Sequence, residues 1–302
     1  MFWPFAFGDI FSFAFWPYYD PFWDYGPDFI FASLFWPYGA DDYAYSEPNY
    51  SFGDIYTGYR RHHRAYAAQA ESPTDIAEAC SGVAPGLTGL PMDRIEKTLQ
   101  PSGEQRASFD ELKAASAKAE EIMKASCPSE MPLTPISRLD AAEKRVDAMI
   151  QAVPALRAPL DTFYNSLTEE QKRRLDSLAN RGGHNKAGET IAQLCSDSAA
   201  GFTNLPSEQI QQTVQPKEQQ MPAFEALKAA SSKAANILNG TCPSETPSTP
   251  RDRLDAMAKR LNATAQALIT VRPALQDFYA SLDDEQKARF NTMTTQQAQR
   301  QG

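Results

Sequence analysis

Histidine is scarce in this chain, and the usual catalytic signatures are missing with it. The 302 residues hold three histidines, at His62, His63 and His184. No Gly-rich phosphate loop, GxSxG elbow or HExxH pair occurs, so no nucleotide, acyl-transfer serine or catalytic zinc has its customary anchor. No enzyme activity, cofactor or metal is therefore expected. Cysteine is confined to Cys80, Cys127, Cys195 and Cys242, with no CxxC pair. That spacing disfavours a zinc or redox motif and leaves two disulfides open. A basic excess is absent too: 29 Lys and Arg face 38 Asp and Glu, for a formal net charge of −9. Without a basic surface to offset phosphate repulsion, a nucleic-acid partner is not expected. No apolar run reaches the roughly 18 residues a membrane-spanning helix needs. Residues 2–16 are apolar, but Asp9 interrupts them and no Lys or Arg precedes them. A secretory signal requires a basic start and a small-residue cleavage site. Either the chain is cytosolic, or its export signal lies upstream of Met1.

What is present is a repeat. Cys80 and Cys195 lie 115 residues apart, as do Cys127 and Cys242. Leu90-Pro91, Gln100-Pro101, Arg138-Leu139-Asp140 and Phe163-Tyr164 all recur at that offset. Aligned without gaps, residues 75–180 and 190–295 share 49 identities in 106 positions. Two copies of one fold follow, with boundaries at 72–181 and 187–297 after an N-terminal segment at 1–71.

Each copy reads as helix. Phe109, Leu112, Ala119, Ile122 and Met123 recur at helical spacing, and so do Leu139, Val146, Ile150 and Val153. No glycine stands between Arg106 and Asn180, and strong helix formers fill the gaps. Thr134-Pro135 and Thr249-Pro250 read as N-cap and first helical residue. Cys127-Pro128 and Cys242-Pro243 end the preceding helix, because proline lacks the donor that a continuing helix needs. Each copy is thus an αα-hairpin followed by a short helix from Glu169 or Asp284. Pro154 and Pro159 are expected to break or kink the second arm of copy one, and Pro273 that of copy two. The fold class is all-α: two tandem helical-hairpin modules behind an irregular aromatic segment.

The last helix opens on Leu167-Thr168-Glu169-Glu170-Gln171. Thr168 can accept from the backbone three residues on, and Gln171 can reach back to the Thr168 N–H, forming a capping box. Copy two has Leu282-Asp283-Asp284-Glu285-Gln286, where Asp283 takes the cap role. Ser102-x-x-Gln105 offers a second box in copy one, with Lys217 in place of the serine in copy two. The chain resembles the LTxxQ-motif family, which includes the periplasmic Spy/CpxP-like proteins. The resemblance rests on Leu167, Thr168 and Gln171, on the degenerate Leu282, Asp283 and Gln286, and on the hairpin around each. It implies ATP-independent chaperoning or envelope-stress sensing in the periplasm, with unfolded or envelope proteins as partners. Beside that, Thr168 and Gln171 are first a structural device. Phe163-Tyr164 and Phe278-Tyr279 read as core before client contacts. The acidic residues after the motif complement helix N-termini.

Residues 1–66 differ in composition. They hold all four Trp, ten of the twelve Tyr and eleven of the seventeen Phe. Their prolines forbid a long helix. Three readings stand: contact with a membrane surface, where Trp and Tyr rings are favoured; wrapping onto the modules; or self-association. Arg60-Arg61-His62-His63-Arg64 closes the segment as a solvated basic patch that could touch anionic headgroups.

The repeat also suggests pairings. Cys80 with Cys127 and Cys195 with Cys242 share a separation of 47 residues. A loop of that length gives about 4 kcal/mol in the chain-entropy model. The two modules are expected to pack as a pseudo-dimer, since fusion makes their association intramolecular. Their alanine-rich helices, with Ala114-Ala115 and Ala229-Ala230, suggest a concave apolar face for clients. The competing reading is one defined partner, or a structural envelope role without general chaperone activity.

Overall fold

The computed structural model describes residues 92, 95–126, 134–180, 205, 207–244 and 249–291. Copy one supplies α1 (Glu104–Ala125), α2 (Pro135–Ser166) and α3 (Glu169–Asn180). Copy two supplies α4 (Ser207–Val214), a 3-10 turn (Glu218–Gln220), α5 (Met221–Asn239), α6 (Pro250–Ser281) and α7 (Asp284–Asn291). Residues 95–99 are helical as well, in the position that α4 holds in copy two. Among the described residues there is no strand.

Local sequence sets the helix starts. Thr134 caps α2: its Oγ1 accepts from Ser137 N at 3.1 Å, and Ser137 Oγ accepts from Thr134 N at 3.0 Å. Thr249 and Asp252 repeat that box on α6, at 3.1 and 3.3 Å. Pro135 and Pro250 follow each cap, where the missing N–H costs nothing. The first arms end before their cysteines, at Ala125 and Asn239, so Pro128 and Pro243 come after the helix has already stopped.

The long arms carry one apolar seam each. On α2, Leu139, Ala142, Val146, Met149, Val153, Leu156, Leu160 and Phe163 are all buried. Their spacing alternates three and four, the signature of coiled-coil packing. Leu254, Leu261, Thr264, Leu268, Val271, Leu275 and Phe278 follow the same rhythm on α6. These seams receive α1 and α5 respectively, giving two hairpins. Phe109 meets Phe163 at 5.1 Å between ring centroids, and Phe224 meets Phe278 at 5.2 Å. Those aromatics are core.

Of the break or kink expected at the prolines, the break does not occur. α2 runs through Pro154 and Pro159, and α6 through Pro273, with each helix unbroken over 32 residues. A mid-helix proline costs about 3 kcal/mol, and burial of four large side chains from Val153 to Phe163 outweighs it. The carbonyls that the prolines leave without a helical donor belong to Ile150, Ala155 and Ile269, none of which is buried, so water can reach them.

The two hairpins meet along their long arms, α2 against α6. Arg157 pairs with Asp255 at 2.8 Å, and Arg272 with Asp140 at 2.7 Å. Early residues of one helix thus meet late residues of the other, so the helices run antiparallel. Arg157 and Arg272 are repeat equivalents, as are Asp140 and Asp255. The seam therefore exchanges the same contact in both directions, the property of a two-fold interface.

Candidate functional site

The motif residues gather at a corner where the long arm turns into the short helix. Leu167 terminates α2, donating its N–H to Tyr164 O at 3.2 Å while its side chain is buried. Thr168 N donates to Gln171 Oε1 at 2.9 Å, and Gln171 N donates to Thr168 Oγ1 at 3.2 Å. The capping box is thus closed.

Gln171 reaches further than a cap requires. Its Nε2 donates to Leu99 O and to Gln105 Oε1, both at 3.0 Å. Gln105 Nε2 returns a bond to Gln171 Oε1 at 2.8 Å and donates to Ser166 O at 2.8 Å. The two amides form a reciprocal pair that ties the start of α1, the end of α2 and the 95–99 helix to one point. Gln105 uses its amide there rather than in a box with Ser102.

Copy two builds the same corner more deeply. Gln286 is 2% exposed and Gln220 7%. Their amides exchange bonds of 2.8 and 2.9 Å, while Gln286 donates to Gln215 O at 3.1 Å and Gln220 to Ser281 O at 2.7 Å. Leu282 is buried and ends α6 as Leu167 ends α2. Asp283 Oδ1 accepts from Gln286 N at 2.9 Å, and Asp283 N donates to Gln286 Oε1 at 3.0 Å. An amide has two donors and two acceptor lone pairs, and only Asn or Gln can both give and take in this way. Glutamate would lose the donors.

Both corners hold a strained residue. Gln100 has φ 47° and Gln215 has φ 53°, the left-handed region, each just past a helix end and before a proline. Each N–H closes the last turn, to Glu96 O at 2.8 Å and to Gln211 O at 3.0 Å. A left-handed non-glycine residue costs roughly 1–2 kcal/mol. The carbonyls bonded by Gln171 and Gln286 belong to this turn, so the glutamine anchors it.

One pair of the positions at which the two corners differ changes together. Copy two has Lys217 and Asp283 where copy one has Ser102 and Thr168. Lys217 Nζ bonds Asp283 Oδ2 at 2.8 Å. That bond, helped by the Gln286 N–H, holds the Asp283 carboxyl below its ordinary range. In copy one the same place is an open polar groove lined by Leu99, Ser102, Gln105, Thr168, Gln171 and Arg174. The departure from threonine in copy two is therefore matched by a cation across the gap.

The seam is the second feature. Besides Asp140, Arg272 takes Glu143 in a two-pronged bond through Nε and Nη2, and the Glu143 contact chiefly raises the pKa of its guanidinium above the ordinary value. Arg251 joins Asp161 at 2.9 Å toward the other end. Among the described residues, Ile269 is the one large hydrophobic side chain standing exposed, at 60%. Ala114 and Ala229 are exposed, but Ala115 and Ala230 are only half so.

Cys242 is disulfide-bonded. Cys80, Cys127 and Cys195 lie outside the described residues, as do the aromatic segment, the Arg60–Arg64 patch and His184. Among the described residues no group of three or more His, Cys, Asp or Glu is placed to hold a metal ion, and no helix is long and apolar enough to cross a membrane. Sequence reasoning placed Gln105 only in a capping box with Ser102, and missed that Gln105 and Gln220 pair with the motif glutamines. Their signal was their recurrence at the repeat offset.

These features define a class of all-helical protein built from two fused hairpins, each closed by a glutamine-anchored corner. A family model described as LTXXQ motif family protein matches residues 87–179 and again 202–294, together more than half of the chain. The chain belongs to the LTXXQ motif family. The family is periplasmic and non-enzymatic, which makes this chain an envelope-associated protein at the family level. No curated protein and no solved structure matches it.

Proposed function

We propose that this chain is a periplasmic protein-binding module that holds unfolded or envelope proteins without ATP, in the manner of Spy/CpxP-type chaperones. The family match over both copies carries this reading. A chain with two family modules in contact along α2 and α6 is a pseudo-dimer in which one linker keeps both halves together at high effective concentration. The formal charge of −9 favours basic or unfolded clients and speeds their encounter at low salt. The aromatic residues 1–66 would add membrane-surface contact.

A second reading has its own support. With Ile269 the one large apolar side chain exposed among the described residues, the described surface suits one defined partner better than many clients. The test adds the full chain, at several-fold molar excess, to several unrelated proteins during thermal aggregation. General suppression supports the holder. No suppression by a folded chain overturns it in favour of the specific binder or a structural envelope role.

A further inference from the structure

Apart from any client-holding role, the seam between α2 and α6 departs from its two-fold in a way that selects what can pair across it. Two ion pairs obey the two-fold, Arg157 with Asp255 and Arg272 with Asp140. Two others have no mate. Arg272 Nε also donates to Glu143 Oε1 at 2.9 Å, while Ala258 holds the equivalent place for Arg157. Arg251 joins Asp161 at 2.9 Å, while the equivalents of that pair are Ile136 and Gln276.

The unmatched pairs give the two faces opposite charge. Copy one brings Asp140, Glu143 and Asp161 to these ion pairs against Arg157, and copy two brings Arg251 and Arg272 against Asp255. Turned by the same two-fold onto its own like, copy one would double its acidic excess and set Asp161 against Ile136. Copy two would double its basic excess and set Arg251 against Gln276. Only the mixed pairing offsets one excess with the other. The buried alanines at the middle of each long arm, Ala148 and Ala152 with their equivalents Ala263 and Ala267, are the same in both copies and express no preference. Discrimination falls to the charges, since like charges set face to face suppress the wrong partner.

We propose that this seam is a charge-coded docking surface whose partner is the complementary module of a second copy of this chain. Copy one of each chain seats on copy two of the other, and Glu143, Asp161, Arg251 and Arg272 exclude like-with-like pairing. Exchanging identical elements between two copies reuses the existing interface, so it costs little. The linker keeps pairing within one chain ahead in dilute solution. A second chain competes as its concentration nears the linker's effective concentration, about millimolar. Both seams then close reciprocally, and the product is a closed dimer.

The test mixes two full-length variants and reads mass by size-exclusion chromatography with light scattering. One carries Arg251→Glu and Arg272→Glu, which makes the copy-two face acidic. The other carries Asp140→Lys, Glu143→Lys and Asp161→Lys, which makes the copy-one face basic. Each alone repels itself across the seam and runs as a monomer. In an equal mixture each variant face meets its complement in the other chain, and the mass doubles. Monomers in the mixture, or a dimer of either variant alone, overturn the proposal. Where circular dichroism shows that a variant does not fold, the wild-type chain decides. Isotope-labelled and unlabelled chains are refolded together from urea at about millimolar concentration and cross-linked through lysine. Cross-links between copy one of a labelled chain and copy two of an unlabelled one are expected. Their absence, or cross-links between chains that join only like copies, overturns the proposal.

Discussion

Copy one and copy two share a corner but close it to different depths. In copy one Thr168 caps the short helix, Ser102 stands opposite, and Gln171 is half-exposed over an open groove. In copy two Asp283 and Lys217 pair across the same gap, and Gln286 is 2% exposed. The amide pair is the feature both retain, while the cap residue is free to change when its neighbour changes with it. The glutamine, not the threonine, is the invariant element of this fold.

The largest break in this comparison comes from the aromatic centre. Phe278 contacts both Phe224 and Phe290, at 5.2 and 5.8 Å, whereas Leu175 stands in copy one where copy two has Phe290. Phe278→Ala therefore destabilises the chain by about 3–5 kcal/mol in urea unfolding. Phe163→Ala costs less, within that range or just below it. Equal losses would show that the third ring contributes nothing.

A smaller effect separates the ends of the seam. Arg272 holds two carboxylates and is 26% exposed, while Arg157 holds one and is 50% exposed. Arg272→Ala costs about 1–3 kcal/mol, as for a hydrogen-bonded charge partly removed from water. Arg157→Ala costs about 0.2–1 kcal/mol. Urea midpoints at two salt concentrations check the ranking, and the Arg157 effect should be the more nearly abolished by salt.

How far these pairs were legible follows from their range. Thr134-Pro135 and Thr249-Pro250 are signals between adjacent residues, so sequence alone located both helix starts. The apolar spacing from Leu139 to Val153 likewise announced a hairpin arm, though not its run past Pro154. The Gln105–Gln171 pair spans 66 residues, and its half at Gln171 already had a sufficient local explanation as a cap. Arg157 and Asp255 are 98 residues apart, and each reads as an ordinary solvated charge on its own helix. Pro154 and Pro159 misled because local backbone cost was visible and the burial that outweighs it was not. Repeat equivalence was the one sequence signal able to reach such contacts.

The smallest effect is one of pH. Lys217 holds the Asp283 carboxyl below its ordinary value of 3.8 in the folded chain. A depressed folded pKa adds stability above the unfolded pKa, and that stability is lost as pH falls through the folded pKa. Asp283→Asn should therefore flatten the stability curve below about pH 4 and leave copy one, with Thr168 there, unaffected. Thermal unfolding across pH 2–5 reads it.

The most direct measurement compares Gln171→Ala with Gln286→Ala in the full chain by urea unfolding. Each removes the reciprocal amide bonds and leaves partner groups unsatisfied, at about 1–3 kcal/mol for a buried group. A structural role for the motif glutamine predicts loss in both variants, larger for Gln286→Ala because Gln220 and Gln286 are buried. Wild-type stability in both, with client or partner binding lost instead, would contradict it and make the corner a contact surface.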